Sequence, residues 1–126
     1  MTSRRCRSSI AVVRVWGEID ASNADAVTQY ALGQSAACAG LILDLGGVTF
    51  FANEGFSALL HISVNCAQRG TVWALVPGAF ASRVLGICDP ESSLPRVDTV
   101  IAALRTCTNQ LRHHPQPIAS ATDRGR

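Results

Sequence analysis

A short apolar run that leads into an amphipathic helix constrains the fold of this chain more than any other feature. The run is Leu41 to Leu45, and glycines bound it on both sides, so its length and flanks are typical of an interior strand. Beyond it, Asn53 is expected to cap a helix. Apolar residues recur on one face of that helix, at Phe56, Leu59, Leu60, Val64 and Ala67. The connection therefore presents Glu54 at a helix N-terminus, where unpaired backbone N–H groups and the helix dipole favour an anion.

The segment before this strand contains a further strand and a helix. Apolar residues predict a strand over Ile10 to Trp16, followed by a turn over Gly17 to Ala21. A helix is expected from about Asn23 to Ser35. Ser22 is its predicted cap, and Asp25 completes a variant of the capping box.

The segment after the helix of Glu54 contains one more strand and two more helices. Gly70 is expected to end the first helix, and Thr71 to Val76 to form a strand. A short helix is predicted from Ala79 to Cys88. Its inward residues are expected to be Phe80, Val84 and Ile87. Asp98 or Thr99 is expected to cap a last helix. The predicted inner stripe of that helix is Val100, Ile101, Leu104, Thr108 and Leu111. Strands that alternate with helices predict an α/β fold, a small mixed β-sheet with about four helices packed on it.

Length and composition suit a single domain. The chain has 126 residues, of which 48% are hydrophobic, enough for one core of ordinary size. We expect residues 1–8 to form a mobile basic arm or a poorly formed first strand, residues 9–112 the domain, and residues 113–126 a disordered tail. No run approaches the roughly 18 apolar residues of a membrane span, and the N-terminus lacks the apolar stretch of a secretion signal. The sequence therefore predicts a cytoplasmic protein without a membrane partner.

The distribution of charge argues against nucleic-acid binding. The net charge is +2, but residues 8–112 contain six Arg and eight Asp or Glu, a balance of −2. A nucleic-acid interface normally needs a basic face, preferably with aromatic residues that stack on bases. The domain shows neither in its sequence, so we expect no nucleic-acid partner.

Two separated motifs resemble the STAS family, the fold of bacterial anti-sigma factor antagonists. The first is Asp44-Leu-Gly-Gly-Val-Thr-Phe-Phe-Ala-Asn-Glu-Gly55, which is similar to the family's strand ending in Asp-Leu, its Val-x-Phe step and the Asp-Ser-Ser-Gly that opens a helix. The second is Val12-Val13-Arg14-Val15-Trp16-Gly17-Glu18-Ile19-Asp20, which resembles the family's alternating strand ending in Gly-Glu-Leu-Asp. The matches extend over about residues 10 to 111, nearly the whole predicted domain.

The resemblance implies a non-enzymatic regulator that binds an anti-sigma factor of the kinase-like ATPase fold and so frees a sigma factor. In the family, a partner kinase phosphorylates the second serine of Asp-Ser-Ser-Gly. Glu54 stands at that position here, with Asn53 and Ala52 before it, so phosphorylation cannot switch this chain there. A carboxylate carries about one negative charge, less than the −1.5 to −2 of a phosphoserine, so Glu54 mimics the modified state only in part. It could repel an acidic partner, meet a basic group on the partner, or simply favour a helix start.

The surface expected to bind the partner combines the helix start, the loop from Val48 to Ala52 and the turn from Gly17 to Asn23. Phe51 and Phe56 are expected to act as aromatic anchors if they are exposed. The predicted binding residues are Phe51, Ala52, Asn53, Glu54, Gly55, Phe56, Ser57, Asp20, Ser22 and Asn23. A homodimer and other STAS proteins are alternative partners, within a scaffold or assembly role.

The sequence offers only weak candidates for chemistry. Its five cysteines form no metal-ligand spacing. Cys66 and Cys88 are either small buried hydrophobes or, with Cys6 in the arm, thiols of a redox-switched antagonist. Asp20 and Asp44 both end predicted strands, where they could pair as carboxylates beside a ligand-sensing cleft or bond loop backbone. We predict no catalytic residues, no metal and no cofactor.

Overall fold

The part of the chain that the structure describes begins with two strands, continues with alternating helices and strands, and ends with two helices. This computed structural model describes residues 1–6 and 9–113, without the side chains of residues 4–6 and 113. The elements in chain order are β1 (Thr2–Cys6), β2 (Ile10–Ile19), α1 (Ala24–Ser35), β3 (Gly40–Phe51), α2 (Asn53–Arg69), β4 (Val72–Val76), α3 (Gly78–Cys88) and α4 (Val100–His113). The predicted α/β fold is therefore confirmed. Apart from His113, the predicted tail lies outside the described residues.

The four strands form one mixed sheet in the order β1-β2-β3-β4. β1 pairs antiparallel with β2, whereas β3 pairs parallel with β2 on one side and with β4 on the other. Leu43 lies at the centre, where it pairs with Val13 on one side and Leu75 on the other. The segment predicted as a basic arm or a poorly formed first strand thus contains the edge strand β1.

β2 and β3 both extend further than predicted. The register continues to the pairs Glu18 with Phe50 and Ile19 with Phe51, with irregularities on the way. The predicted turn at 17–21 therefore begins only after Ile19, and most of the predicted loop at 48–52 is strand. Two such strands support each other through backbone hydrogen bonds, a long-range effect that local glycines do not reveal.

The amino-terminal half of the sheet is covered on both faces, which explains why residues 41–45 of β3 are apolar at nearly every position. On one face α1, α2 and α3 enclose the larger core, which includes Val13, Leu41, Leu43, Leu59, Ile62 and Leu85. On the other face α4 packs over a smaller core made of Ile10, Val12, Ile42, Ala74, Val76, Ala103 and Cys107. The odd-numbered residues Leu41 and Leu43 face one core and Ile42 the other, as the two-residue period of a strand requires.

The inward faces of the last two helices differ from those predicted. In α3 the buried residues are Ala81 and Leu85, and Val84 packs partly buried against the larger core as predicted. Phe80 and Ile87, in contrast, are 41% and 83% exposed. In α4 the fully buried residues are Ala103 and Cys107, with Val100, Leu104 and Leu111 partly buried beside them and Ile101 exposed. Small residues of these helices face the sheet because they allow the helix to approach it closely. The size of an apolar side chain therefore did not indicate which face of the helix is buried.

Candidate functional site

The carboxyl ends of β2 and β3 bring the two predicted binding segments side by side. Ile19 pairs with Phe51, and the backbone N–H of Ala52 donates to the carbonyl of Ile19 at 2.9 Å. The turn after β2 and the start of α2 are therefore joined directly. We call the surface formed by residues 20–23 and 52–57 the strand-end surface.

A compact hydrogen-bonded turn connects β2 to α1. The Asn23 side chain accepts from the N–H of Asp20 at 2.9 Å and donates to the carbonyl of Glu18 at 2.7 Å. The Asp20 carboxylate accepts from the hydroxyl of Ser22 at 2.5 Å and from its backbone N–H at 2.9 Å. These bonds, with the Ser22 hydroxyl first, lower the pKa of Asp20. The turn thus holds a stable negative charge at the edge of the sheet.

The prediction that Ser22 caps α1 is wrong, because the hydrogen bonds of this turn use its hydroxyl. The helix begins at Ala24, and its N-cap, Asn23, makes no side-chain capping bond. The Ser22 hydroxyl is directed to Asp20 instead. Asn23 uses its side chain to close the preceding turn, which competes with capping.

Glu54 lies in the first turn of α2 and is exposed. Ala52 occupies the N-cap position, so the prediction that Asn53 caps this helix is wrong. Asn53 is instead the first helical residue, and its side-chain oxygen lies 3.9 Å from the sulfur of Cys88 in α3. The carboxylate of Glu54 therefore lies at the positive end of the helix dipole, where a negative charge is stabilised.

The two predicted aromatic anchors do not lie on this surface as exposed rings. The side chain of Phe51 is only 5% exposed and belongs to the larger core, and Phe56 is partly buried against that core. A Cβ at Gly55 would lie 2.6 Å from the ring of Phe51, so glycine at the helix start makes room for this ring. Polar side chains dominate what remains exposed of the strand-end surface, namely Ser22, Asn53, Glu54 and Ser57.

Two other aromatic side chains, which the sequence did not single out as binding residues, are exposed. Trp16 is 52% exposed and Phe50 is 50% exposed. Trp16 was expected to end a buried strand, and Phe50 to lie in the loop from Val48 to Ala52. Gly46 and Gly47 are the only sequence signal, since glycine within a strand pattern suggests a bulge that changes which residues face outward.

Asp20 and Asp44 are not brought together. Asp44 pairs with Arg14 in the register, whereas Asp20 follows Ile19, so the two carboxylates are about 20 Å apart along the strands at ~3.3 Å per residue. Asp44 accepts from Arg14 Nε at 3.3 Å and from the N–H of Gly46 at 2.9 Å. Within the described residues no group of three or more His, Cys, Asp or Glu is placed to hold a metal ion.

The described cysteines do not support a redox switch through Cys66. Its side chain is buried, and burial raises its pKa to about 11, so the reactive thiolate is disfavoured. Cys107 behaves in the same way. Cys88 is half-buried and carries a free thiol, and the side chain of Cys6 lies outside the described residues. The earlier interpretation of Cys66 as a small buried hydrophobe is the one that the structure favours.

The buried carboxylate of Asp89 organises the loop that follows α3, next to the start of α2. Asp89 accepts from the backbone N–H of Ser93 at 2.9 Å, from its hydroxyl at 2.6 Å and from the N–H of Leu94 at 3.2 Å. Arg96 lies 3.9 Å from the same carboxylate. The hydrogen bond from the Ser93 hydroxyl is the main reason why the pKa of Asp89 is lowered.

Stability should therefore depend on pH through Asp89. Because its folded pKa is lower than its unfolded value near 3.9, its ionised form stabilises the fold above about pH 4. That contribution is lost as the pH falls through the folded pKa. We expect Asp89→Asn to be less stable than wild type at pH 7, and the difference in free energy of unfolding to shrink towards pH 2. Urea unfolding across this range measures it, with Glu91→Gln in the same loop as the control. A difference that stays constant with pH would contradict the assignment.

The sequence and structural comparisons identify the class of protein. A model of the STAS domain matches residues 2–81, and the chain belongs to the STAS domain family. It is 30% identical over 111 residues to Osmosensory protein A of Mycobacterium tuberculosis, a match that covers 85% of this chain and 70% of that protein.

Solved structures share the fold. An anti-sigma factor antagonist from Mycobacterium paratuberculosis superposes with a TM-score of 0.73 at 24% identity, covering 85% of this chain and 93% of that one. A protein of Thermotoga maritima, described as a putative anti-sigma factor antagonist, gives a TM-score of 0.74 at 15% identity with the same coverage. Among the described residues, no helix is both long and apolar enough to cross a membrane.

Proposed function

We propose that this protein acts without catalysis, by binding an anti-sigma factor of the kinase-like ATPase fold through the strand-end surface and so releasing a sigma factor. The observation that carries the proposal is the direct joining of the end of β2 to the start of α2, which presents the exposed Glu54 on the same surface as the turn that contains Asp20. Membership of the STAS family and similarity to structures described as anti-sigma factor antagonists support it.

Glu54 gives this surface a permanent negative charge. It stands where the family motif has the phosphorylated serine, so the protein would bind its partner without a phosphorylation switch at this position. A carboxylate has two acceptor oxygens and about one charge, compared with three oxygens and up to −2 on a phosphoserine. In this proposal Glu54 weakens binding to a partner surface that suits an uncharged serine, without preventing it.

Affinity capture tests the partner. Wild-type and Glu54→Ala baits would be incubated with lysates of the bacterium that encodes the chain, and bound proteins identified by mass spectrometry. Because a relative is named an osmosensory protein, lysates from cells grown with and without osmotic stress would be compared. Capture of a kinase-like ATPase supports the proposal. Capture of only STAS proteins would replace it with an assembly role, and capture of no partner from any lysate would contradict it.

The effect of Glu54 is testable with the captured partner. Glu54→Ala is expected to bind about two- to fivefold more tightly, because repulsion between exposed charges is worth up to ~1 kcal/mol. Isothermal titration calorimetry measures the change. Asp25→Asn, which removes an exposed acid from the first turn of the neighbouring helix α1, is the matched control and should change affinity less. Equal or weaker binding by Glu54→Ala would contradict repulsion.

A further inference from the structure

The face of the sheet opposite the larger core is only partly covered. α4 packs over its amino-terminal half, at Ile10, Val12, Ile42, Ala74 and Val76. β4 ends where Val76 pairs with Asp44, whereas β2 and β3 continue together for several residues. Trp16 and Phe50 lie on this extension, and both are about half exposed.

The exposed residues form one continuous strip. Arg14, Trp16 and Glu18 alternate along β2 and are all exposed, so they share one face. Phe50 pairs with Glu18, and Gly47 pairs with Trp16, which places all five on the same side. A Cβ at Gly47 would lie 2.9 Å from the Cβ of Trp16. A side chain at position 47 would therefore collide with Trp16, and glycine avoids this collision.

The charges of this strip are complementary to those of the same strip on a second copy rotated by 180°. Arg14 lies two residues before Trp16, and Glu18 two residues after it. A two-fold axis that passes over Trp16 and runs across the strands places residue 16 + n of one copy opposite residue 16 − n of the other. Arg14 of each copy then faces Glu18 of its partner, and the two Trp16 rings meet at the centre.

We propose that this strip, which we call the Trp16 face, is the surface through which two copies of the chain associate in a symmetric dimer. A two-fold interface must be self-complementary in this way. Large apolar rings at the centre with charged residues at the rim are typical of protein interfaces. Arg14 also contacts Asp44 of its own chain at 3.3 Å, but its side chain remains 59% exposed. The strip lies beside the strand-end surface and shares no residue with it.

Sedimentation of the full chain over a range of concentrations tests the dimer. Wild type is expected to associate, and Trp16→Ala to raise the dimer Kd by more than about tenfold, as loss of a central aromatic residue does. Ile87→Ser removes a more exposed apolar side chain from α3 and is the matched control, expected to associate like wild type. A wild-type chain that remains monomeric at millimolar concentration would overturn the proposal, as would equal effects of the two substitutions.

A charge exchange tests the orientation. Glu18→Arg alone brings like charges together twice in its own dimer, and so does Arg14→Glu alone. A mixture of the two variants restores both opposite-charge pairs. We expect neither variant to self-associate and the mixture to form a heterodimer at about the wild-type Kd. Circular dichroism and thermal melting establish that each variant is folded. Folded variants that do not associate when mixed, or that both self-associate alone, would overturn this arrangement.

Discussion

Replacing Phe51 by alanine is expected to lower the free energy of unfolding by about 3–5 kcal/mol, the usual cost of removing a buried phenylalanine. The ring is 5% exposed and lies in the larger core. It also fills the space beneath Gly55, at the start of α2. The substitution would leave a cavity under the strand-end surface, so its effect should be on the whole fold rather than on partner binding alone.

Phe50→Ala is the matched control, because it removes the same side chain from the next position of the same strand. Phe50 is 50% exposed, and we expect a change within about 0.5 kcal/mol. Urea unfolding at low protein concentration measures both, so that self-association does not contribute to stability. Similar losses for the two variants would mean that the burial pattern at the end of β3 is wrong.

Gly78→Ala is expected to destabilise the protein by about 2–4 kcal/mol. Gly78 begins α3 with φ +72°, a left-handed conformation that costs a residue with a side chain about 1–2 kcal/mol. An added Cβ would also lie 2.9 Å from the Cα of Gly46 and 3.0 Å from the carbonyl oxygen of Leu45. Both contacts are with backbone, which cannot move without disturbing β3, so overpacking adds to the strain.

Gly86→Ala, in the same helix, should have the opposite effect. A Cβ there meets no atom within 4 Å, and alanine is more favourable than glycine in a helix by up to about 1 kcal/mol. Thermal and urea unfolding of the two variants distinguish the causes. If both substitutions changed stability in the same direction, the close approach of Gly78 to β3 would not be the reason.

Local sequence patterns predicted the interiors of the elements well. The start of β3 at Leu41, the end of α2 at Gly70 and the start of β4 agree with the structure to within about a residue. Thr99 also caps α4 as expected, since its hydroxyl accepts from the N–H of Ala102 at 3.0 Å. These features depend on short-range periodicity and on backbone groups a few residues apart, which the sequence states directly.

The ends of elements could not be predicted in the same way. β2 and β3 extend to Ile19 and Phe51 because each provides hydrogen-bonding partners for the other. The cap predicted at Ser22 is absent because Asp20 receives its hydroxyl. In both cases the hydrogen-bonding groups, the backbone at the ends of β2 and β3 and the hydroxyl of Ser22, have partners that local sequence patterns did not indicate. Those partners lie on the neighbouring strand or within the turn.

By itself, the sequence determined that this chain is an α/β domain of the STAS family, and its motif predicts that Glu54 occupies the position of the family's phosphorylated serine. The family motifs and the alternation of strands with helices carry that information locally. Only the tertiary structure decided that Phe51 is buried while Phe50 and Trp16 are exposed. A one-residue change of register reverses the face of every following side chain, and that register is set by the pairing of two strands far apart in the chain.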